Sequence, residues 1–260
     1  MNLGLKGNVV LITGGAKGIG AAIARACGRE GGFPIILDRD ELAIHKIQSE
    51  LHEEGIKADT IQVELTNSPD TSLAVETVGH KYGRIDGLVN NAGVNDGVGL
   101  ENGSPERFVS SLNCNLTHYF TMAHAALPFL KQSTGSIVNI SSKVAVTGQG
   151  GTSGYAAAKG AILELTLEWA EELSTYGVRV NAVVPAEVLT SQYKNWVKKF
   201  DDPEEELRRI AARIPLGHRM TEPSEIAAMT VFLLSSKSAG ISGQHLFVDG
   251  GYVHLDRRLT

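Results

Sequence analysis

The chain has 260 residues, with 24 Lys and Arg against 29 Asp and Glu, a formal net charge of −5. With 42% hydrophobic and 20% charged residues it is composed like an ordinary globular protein, which excludes intrinsic disorder and allows a well-buried core. No apolar run approaches the roughly 18 residues of a membrane span, and the N-terminus MNLGLKGNVV has no signal-length apolar stretch, so a cytoplasmic protein is expected. The mildly acidic balance, without basic blocks, argues against nucleic acid and membrane as partners. Cys27 and Cys114 are too few for a disulfide scaffold and suit a reducing compartment as small buried hydrophobes.

Short β-branched runs alternate with helical patterns along the chain. A strand over 9–13 leads into a helix over 18–30, a strand over 34–38 into a helix over 41–54, and a strand over 61–65 into a helix over 68–82. The pattern continues with a strand over 87–90, a long helix over 105–131, a strand over 136–141 and a helix over 153–176. Strands over 178–184 and 244–248 close the series, with a helix over 223–235 between them. Several strands are apolar on both faces (VVLI, IIL, IVNI), as in a parallel sheet covered by helices. The chain therefore reads as one α/β domain over 1–260, a Rossmann-type doubly wound parallel sheet with helices on both faces. A charged helical insertion over 191–219 follows a strand end, where ligands bind in such sheets, and is expected to form a substrate lid.

After the first strand, Thr13-Gly14-Gly15-Ala16-Lys17-Gly18-Ile19-Gly20 forms a glycine-rich turn that opens a helix. Such a turn lets the backbone approach a pyrophosphate, and the helix N-terminus offers free N–H groups and partial positive charge. Asp38 ends the second strand, where a carboxylate accepts the ribose hydroxyls of an adenosine and repels a 2′-phosphate. Lys17 and Arg39 stand beside it, and either can pair with a 2′-phosphate. NAD is therefore favoured and NADP stays possible. Farther on, Tyr155 and Lys159 lie at i and i+4 on one helical face, where an ammonium is expected to lower the phenol pKa from about 10 toward the working pH. That pair makes a general base for an alcohol. Ser142 follows the strand GSIVNIS at its carboxyl end, and Asn115 sits inside a helix that is otherwise apolar, where an unpaired amide is costly.

Taken with Asn90-Asn91-Ala92-Gly93, VRVNAVVPA at 178–186 and GQHLFVDGG near the end, these motifs make a set that resembles the short-chain dehydrogenase/reductase family over essentially the whole chain. The resemblance implies NAD(P)-dependent oxidation of an alcohol, or its reverse. Tyr155 would be the acid/base, Ser142 would bind the reacting oxygen, Lys159 would hold the nicotinamide ribose and tune Tyr155, and Asn115 would anchor a water of the proton relay. The cofactor would be held by Gly14, Ala16, Lys17, Gly18, Ile19 and Gly20, by Asp38 and Arg39, and by Glu64 and Leu65. Asn91, Ala92 and Gly93 would line it, with Tyr155 and Lys159, and Pro185, Val188 and Thr190 would border the nicotinamide carboxamide. Glu64 replaces the Asp common at the adenine edge, and Pro185-Ala186-Glu187 replaces the usual Pro-Gly. Members of the family are usually homotetramers or homodimers, and no metal ligand set is read.

The loops expected to face the substrate are polar: Asn95, Lys143, Gln149 and Glu187, joined by Ser142 and Tyr155. Convergent carboxylate, amide and hydroxyl groups suit a small polyhydroxylated ligand, although each residue alone is equally a solvated loop residue. Trp196 in the lid can stack on a sugar face or pack with Tyr193 and Phe200. The strings VNNAGVNDGVGL, ISSKVAVTGQGGTSGY, VVPAEVLTSQYKNW and VDGGYVHLDR resemble sugar dehydrogenases of the family, the L-fucose-dehydrogenase-like enzymes in particular. That likeness implies oxidation of an aldose to its lactone, whereas a carbonyl or 3-oxoacyl reductase using NADPH is the alternative within the family. A dinucleotide sensor without turnover is the alternative outside enzymes. The amphipathic tail from Tyr252 to Arg258 is expected to pack near a substrate cleft.

Overall fold

The computed structural model describes residues 2–255. Seven strands form one sheet, β1 (Val9–Thr13), β2 (Phe33–Asp38), β3 (Asp59–Gln62), β4 (Gly87–Asn90), β5 (Ser136–Ile140), β6 (Arg179–Pro185) and β7 (His245–Val248). They are hydrogen-bonded in the order β3-β2-β1-β4-β5-β6-β7, and every pairing is parallel. The expected third strand, 61–65, is displaced toward its N-terminus. Val63–Leu65 lie beyond the strand, where they become loop residues free to face a ligand.

The twofold period of the strands builds two cores. Val10, Ile12 and Ile36 pack on one face with α1 (Gly18–Arg29), α2 (Glu41–Glu53) and α9 (Pro223–Leu234). Val9, Leu11, Ile35 and Leu37 pack on the other, with α3 (Ser68–Tyr82), α5 (His118–Ser133) and α6 (Ser153–Ser174). β1 has β2 on one side and β4 on the other, so the chain order reverses there and leaves a crevice at the carboxyl ends.

The single helix expected over 105–131 is three pieces. α4 (Pro105–Leu112) runs into a π-helical turn, Asn113–Thr117, before α5 begins. The wider turn carries Asn115, whose amide donates to Ser111 O one turn back and accepts from Val94 N–H on the loop after β4. The insertion over 191–219 is likewise broken, into α7 (Ser191–Val197) and α8 (Pro203–Ala211). Its base is closed by a bridge between Val188 and Thr221, with Thr221 N–H donating to Glu187 O and Leu189 N–H to Thr221 O, both at 2.9 Å.

After β7 the buried Asp249 carboxylate accepts the N–H groups of Gly251 at 2.8 Å and Val253 at 2.9 Å. This turn brings Gly250 O to Leu216 N–H at 3.0 Å, at the far end of the insertion. Of the tail singled out in the sequence, residues 256–258 lie outside the described residues. No helix among the described residues is long and apolar enough to cross a membrane.

Candidate active site

A cleft of about 890 Å³ opens at the carboxyl ends of β1, β2, β4, β5 and β6. The glycine turn forms its floor. Gly14 has φ +60°, and a Cβ there would stand 3.0 Å from Ala92 Cα, so the turn can lie flat against the β4 end only with glycine. Asn91 ties the two together, its Nδ2 donating to Thr13 O at 2.9 Å and to Gly14 O at 3.2 Å. Gly20 packs beneath the turn against Gly14. α1 starts with no side-chain cap, which leaves its first N–H groups for an anion. Gly14, Lys17, Gly18 and Ile19 line the cleft, and Ala16 donates its N–H to Asp38 Oδ2 at 3.1 Å.

Asp38 is held from both sides, its second oxygen accepting from Asp40 N–H at 3.1 Å. The two neighbouring cations are engaged elsewhere: Lys17 pairs with Asp40 at 2.6 Å and Arg39 with Glu64 at 3.2 Å. Glu64 and Leu65 line the cleft beside Asp38, and Asn91, Ala92 and Gly93 continue the wall toward Tyr155 and Lys159. Pro185, Val188 and Thr190 lie along the opposite rim, with Thr190 capping α7. An elongated cleft with an uncapped helix N-terminus at its middle and a carboxylate at one end fits a dinucleotide.

Asn115, Ser142, Tyr155 and Lys159 meet at the inner end. Ser142 opens the 3-10 turn Lys143–Ala145, its hydroxyl accepting from Val144 N–H at 3.4 Å, and lines the cleft together with Tyr155. Lys159 Nζ lies 5.6 Å from the Tyr155 ring centroid. It donates to Ile140 O at 2.8 Å and to the hydroxyl of Tyr119 at 3.0 Å. Asn115 is fully buried; its Oδ1 accepts from Val94 N–H at 2.7 Å and its Nδ2 donates to Ser111 O at 3.0 Å. A Cβ on Gly93 would stand 3.0 Å from Asn115 Oδ1 and 3.4 Å from Lys159 Nζ, so only a glycine lets these two side chains come so near.

The electrostatics correct one expectation from the sequence. Burial pushes Tyr155 up to about 12, against the pull of the Ser142 hydrogen bond. Burial also drops Lys159 to about 7, because its ammonium is shut away from water with no carboxylate beside it. The lysine therefore does not lower the phenol pKa as its spacing predicts; its hydrogen bonds go to Tyr119 and Ile140 instead.

Asn95 and Trp196 line the cleft, whereas Lys143, Gln149 and Glu187 do not. Gln149 is exposed on its loop. The Glu187 carboxylate is occupied by the Lys143 ammonium and by the Tyr193 hydroxyl. Trp196 contacts Tyr193 and Phe200 edge-on, at 5.3 and 4.9 Å between ring centroids, and remains 42% exposed.

Sequence reasoning missed Tyr119 and His118. Tyr119 is fully buried and shares Ile140 O with Lys159; His118 lines the cleft, with Nε2 3.2 Å from Cys114 O. Burial pushes His118 down to about 4, and the nearby Lys159 charge acts the same way. Both stand at helical spacing from Asn115, and polar rings on an apolar face were the available signal. Gln192 and Asn195 of α7 were also missed, although they share a face with Trp196.

A family model described as enoyl-(acyl carrier protein) reductase matches residues 14–253. The chain belongs to the short-chain dehydrogenase/reductase family. Among the relatives of this dehydrogenase/reductase, L-fucose dehydrogenase of Oryctolagus cuniculus is 38% identical over 246 residues, covering 94% of this chain and 84% of that protein. A 3-oxoacyl-(acyl-carrier-protein) reductase of Thermotoga maritima is 36% identical over 250 residues, covering 96% and 99%. The solved structure of Cj0485 dehydrogenase superposes with a TM-score of 0.94 at 45% identity, covering 100% of this chain and 99% of that one. The enzyme is thus an NAD(P)-dependent oxidoreductase of small molecules.

Proposed function

We propose that this enzyme oxidises a hydroxyl of a small polyhydroxylated substrate, an L-fucose-like aldose to its lactone, with NAD. One observation carries the reading: the cleft that Tyr155 and Ser142 line is also lined by Asn95 and by Gln192, Asn195 and Trp196 of the proposed lid. Amides that both donate and accept, with an indole to cover an apolar ring face, are the complement of a sugar and a poor match for an acyl chain. The L-fucose dehydrogenase relative supports the same substrate class. NAD is supported by Asp38, whose flanking cations are already paired with Asp40 and Glu64.

The chain's own residues divide the work. Ser142 donates to the reacting oxygen and orients it, while Tyr155 takes the hydroxyl proton as the adjacent C–H bond gives up its electron pair. Asn115 holds the loop after β4 to the π-helical turn. Lys159, on the same helical face as Tyr155, would hold the nicotinamide ribose of the cofactor. The oxidised nicotinamide would supply the hydride acceptor.

The second reading, NADPH-dependent reduction of a 3-oxoacyl or other carbonyl substrate, is favoured by the Thermotoga reductase relative and the description of the family model. Absorbance of reduced nicotinamide, followed across aldoses, polyols and 3-oxoacyl thioesters with each cofactor, separates the two. Turnover of an aldose with NAD is expected. Reduction of the thioester with NADPH, and no aldose oxidation, would replace the first reading by the second.

A homotetramer or homodimer belongs to the same proposal. Val109 on α4, Phe120 on α5 and Leu167 on α6 are 63%, 56% and 42% exposed, more apolar surface than these helices need for their own core.

A further inference from the structure

Behind the lid, four side chains from four segments meet. Lys143 follows directly on Ser142, Glu187 lies just past β6, Tyr193 belongs to α7, and Tyr252 lies in the turn after β7. One Glu187 oxygen accepts from the Lys143 ammonium, and the other accepts from Tyr193 Oη at 2.8 Å. Lys143 Nζ also stands 4.2 Å from the Tyr252 ring centroid. The Lys143 and Glu187 side chains are only 10% and 15% exposed, and neither lines the cleft, whereas Tyr193 does.

Taking two charges out of water is costly even when they pair, and a packed apolar pair would hold these segments at least as firmly. A polar bridge differs in how it opens. Once separated, ammonium, carboxylate and phenol are each rehydrated, whereas separated apolar faces are left against water. Such a bridge holds a moving segment in one position and still releases it, and a lid needs both properties. The backbone of Glu187 is itself anchored at the lid base by Thr221 N–H, so its side chain reaches the lid from a fixed point.

We propose that Glu187 is a positioning residue that latches the lid, through Tyr193, to the Lys143 turn carrying Ser142. Closing the lid and setting the position of the Ser142 hydroxyl then become one event. The carboxylate holds the lid and does not bind substrate. This assignment goes beyond the sugar reading and holds whatever alcohol or carbonyl compound enters the cleft.

Trypsin tests it on the whole enzyme without any substrate. Lys194, Lys198, Lys199, Arg208 and Arg209 lie in the lid, and cleavage of a folded chain there follows local opening. Lid cleavage is expected to rise about tenfold or more in Glu187→Ala, and less in Tyr193→Phe, which deletes a single hydroxyl. The double variant should be cleaved no faster than Glu187→Ala alone, since Glu187→Ala already removes the Tyr193 contact. Glu187→Gln, which keeps an acceptor for Tyr193, should restore part of the protection. In turnover, kcat/KM should fall by the same factor for a polyhydroxylated substrate and for a simple secondary alcohol. Unchanged lid cleavage in both single variants would overturn the latch, as would a loss confined to KM for the polyhydroxylated substrate. Where Glu187→Ala does not fold, Tyr193→Phe decides: faster lid cleavage supports the latch and wild-type cleavage refutes it. None of the cleavage outcomes depends on the substrate, so failure of the latch and failure of the sugar reading are separately visible.

Discussion

Tyr155 and Ser142 line the same cleft, and in the proposed reaction Tyr155 is the acid/base and Ser142 orients the reacting oxygen. Removing the phenol hydroxyl leaves the glycine turn and Asp38 untouched. Tyr155→Phe is therefore expected to bind the dinucleotide normally, in a fluorescence titration, and to lose several orders of magnitude in kcat. Activity within about tenfold of wild type would remove Tyr155 from the acid/base role. His118 yields a pH prediction. Its folded pKa of about 4 lies below the ordinary 6.5, so between those values the unfolded chain binds the proton more readily. Stability from this group is complete above pH 6.5 and is lost as pH falls toward 4, by at most about 3 kcal/mol. The urea midpoint of wild type should fall relative to that of His118→Leu as pH drops from 6.5 to 4, the two curves running parallel above pH 6.5. Curves that stay parallel down to pH 4 would mean that the imidazole is not held neutral.

At the level of elements, the π-helical turn between α4 and α5 is the feature that brings the helix to the catalytic centre. In it Asn115 spans two backbone groups, Val94 N–H on the loop after β4 and Ser111 O one turn back. Asn115→Ala leaves a buried donor without its partner, at a cost of roughly 1–3 kcal/mol. The expected result is a lower urea midpoint together with reduced kcat, because the loop that passes Lys159 is no longer held. Reduced kcat at an unchanged midpoint would mean instead that Asn115 acts on the proton path alone. An odd polar residue in an apolar helix was visible in the sequence, but the π turn around it was not. The π turn carries no proline, glycine or other break in the sequence to mark it, so 105–131 reads as one continuous helix. The insertion over 191–219, the proposed lid, behaves similarly. Its charge and position are legible, whereas the break between α7 and α8 and the bridge from Val188 to Thr221 depend on partners 33 positions apart along the chain.

Across the whole molecule, the sheet order puts every functional segment at one end, and α4, α5 and α6 cover the face beside it with exposed apolar side chains. Phe120 lies 6.5 Å from Trp169, between ring centroids, and joins α5 to α6 on that surface. A charge there should split the proposed assembly: Phe120→Asp is expected to sediment as a smaller species than wild type, with its circular dichroism unchanged. Identical sedimentation would place the interface elsewhere. The strand–helix alternation, the glycine turn, Asp38, Ser142 and the Tyr155–Lys159 pair were legible because each is written in short spacings, and a local period survives whatever the chain packs against. The protonation of Tyr155 and Lys159, the support from Tyr119, and the partners of Glu187 were not legible. Those depend on burial and on side chains that only folding brings together, such as Lys143 and Glu187, 44 positions apart. A charge in a loop motif reads the same whether it meets substrate, solvent or a distant ammonium, and only the three-dimensional packing distinguishes the three.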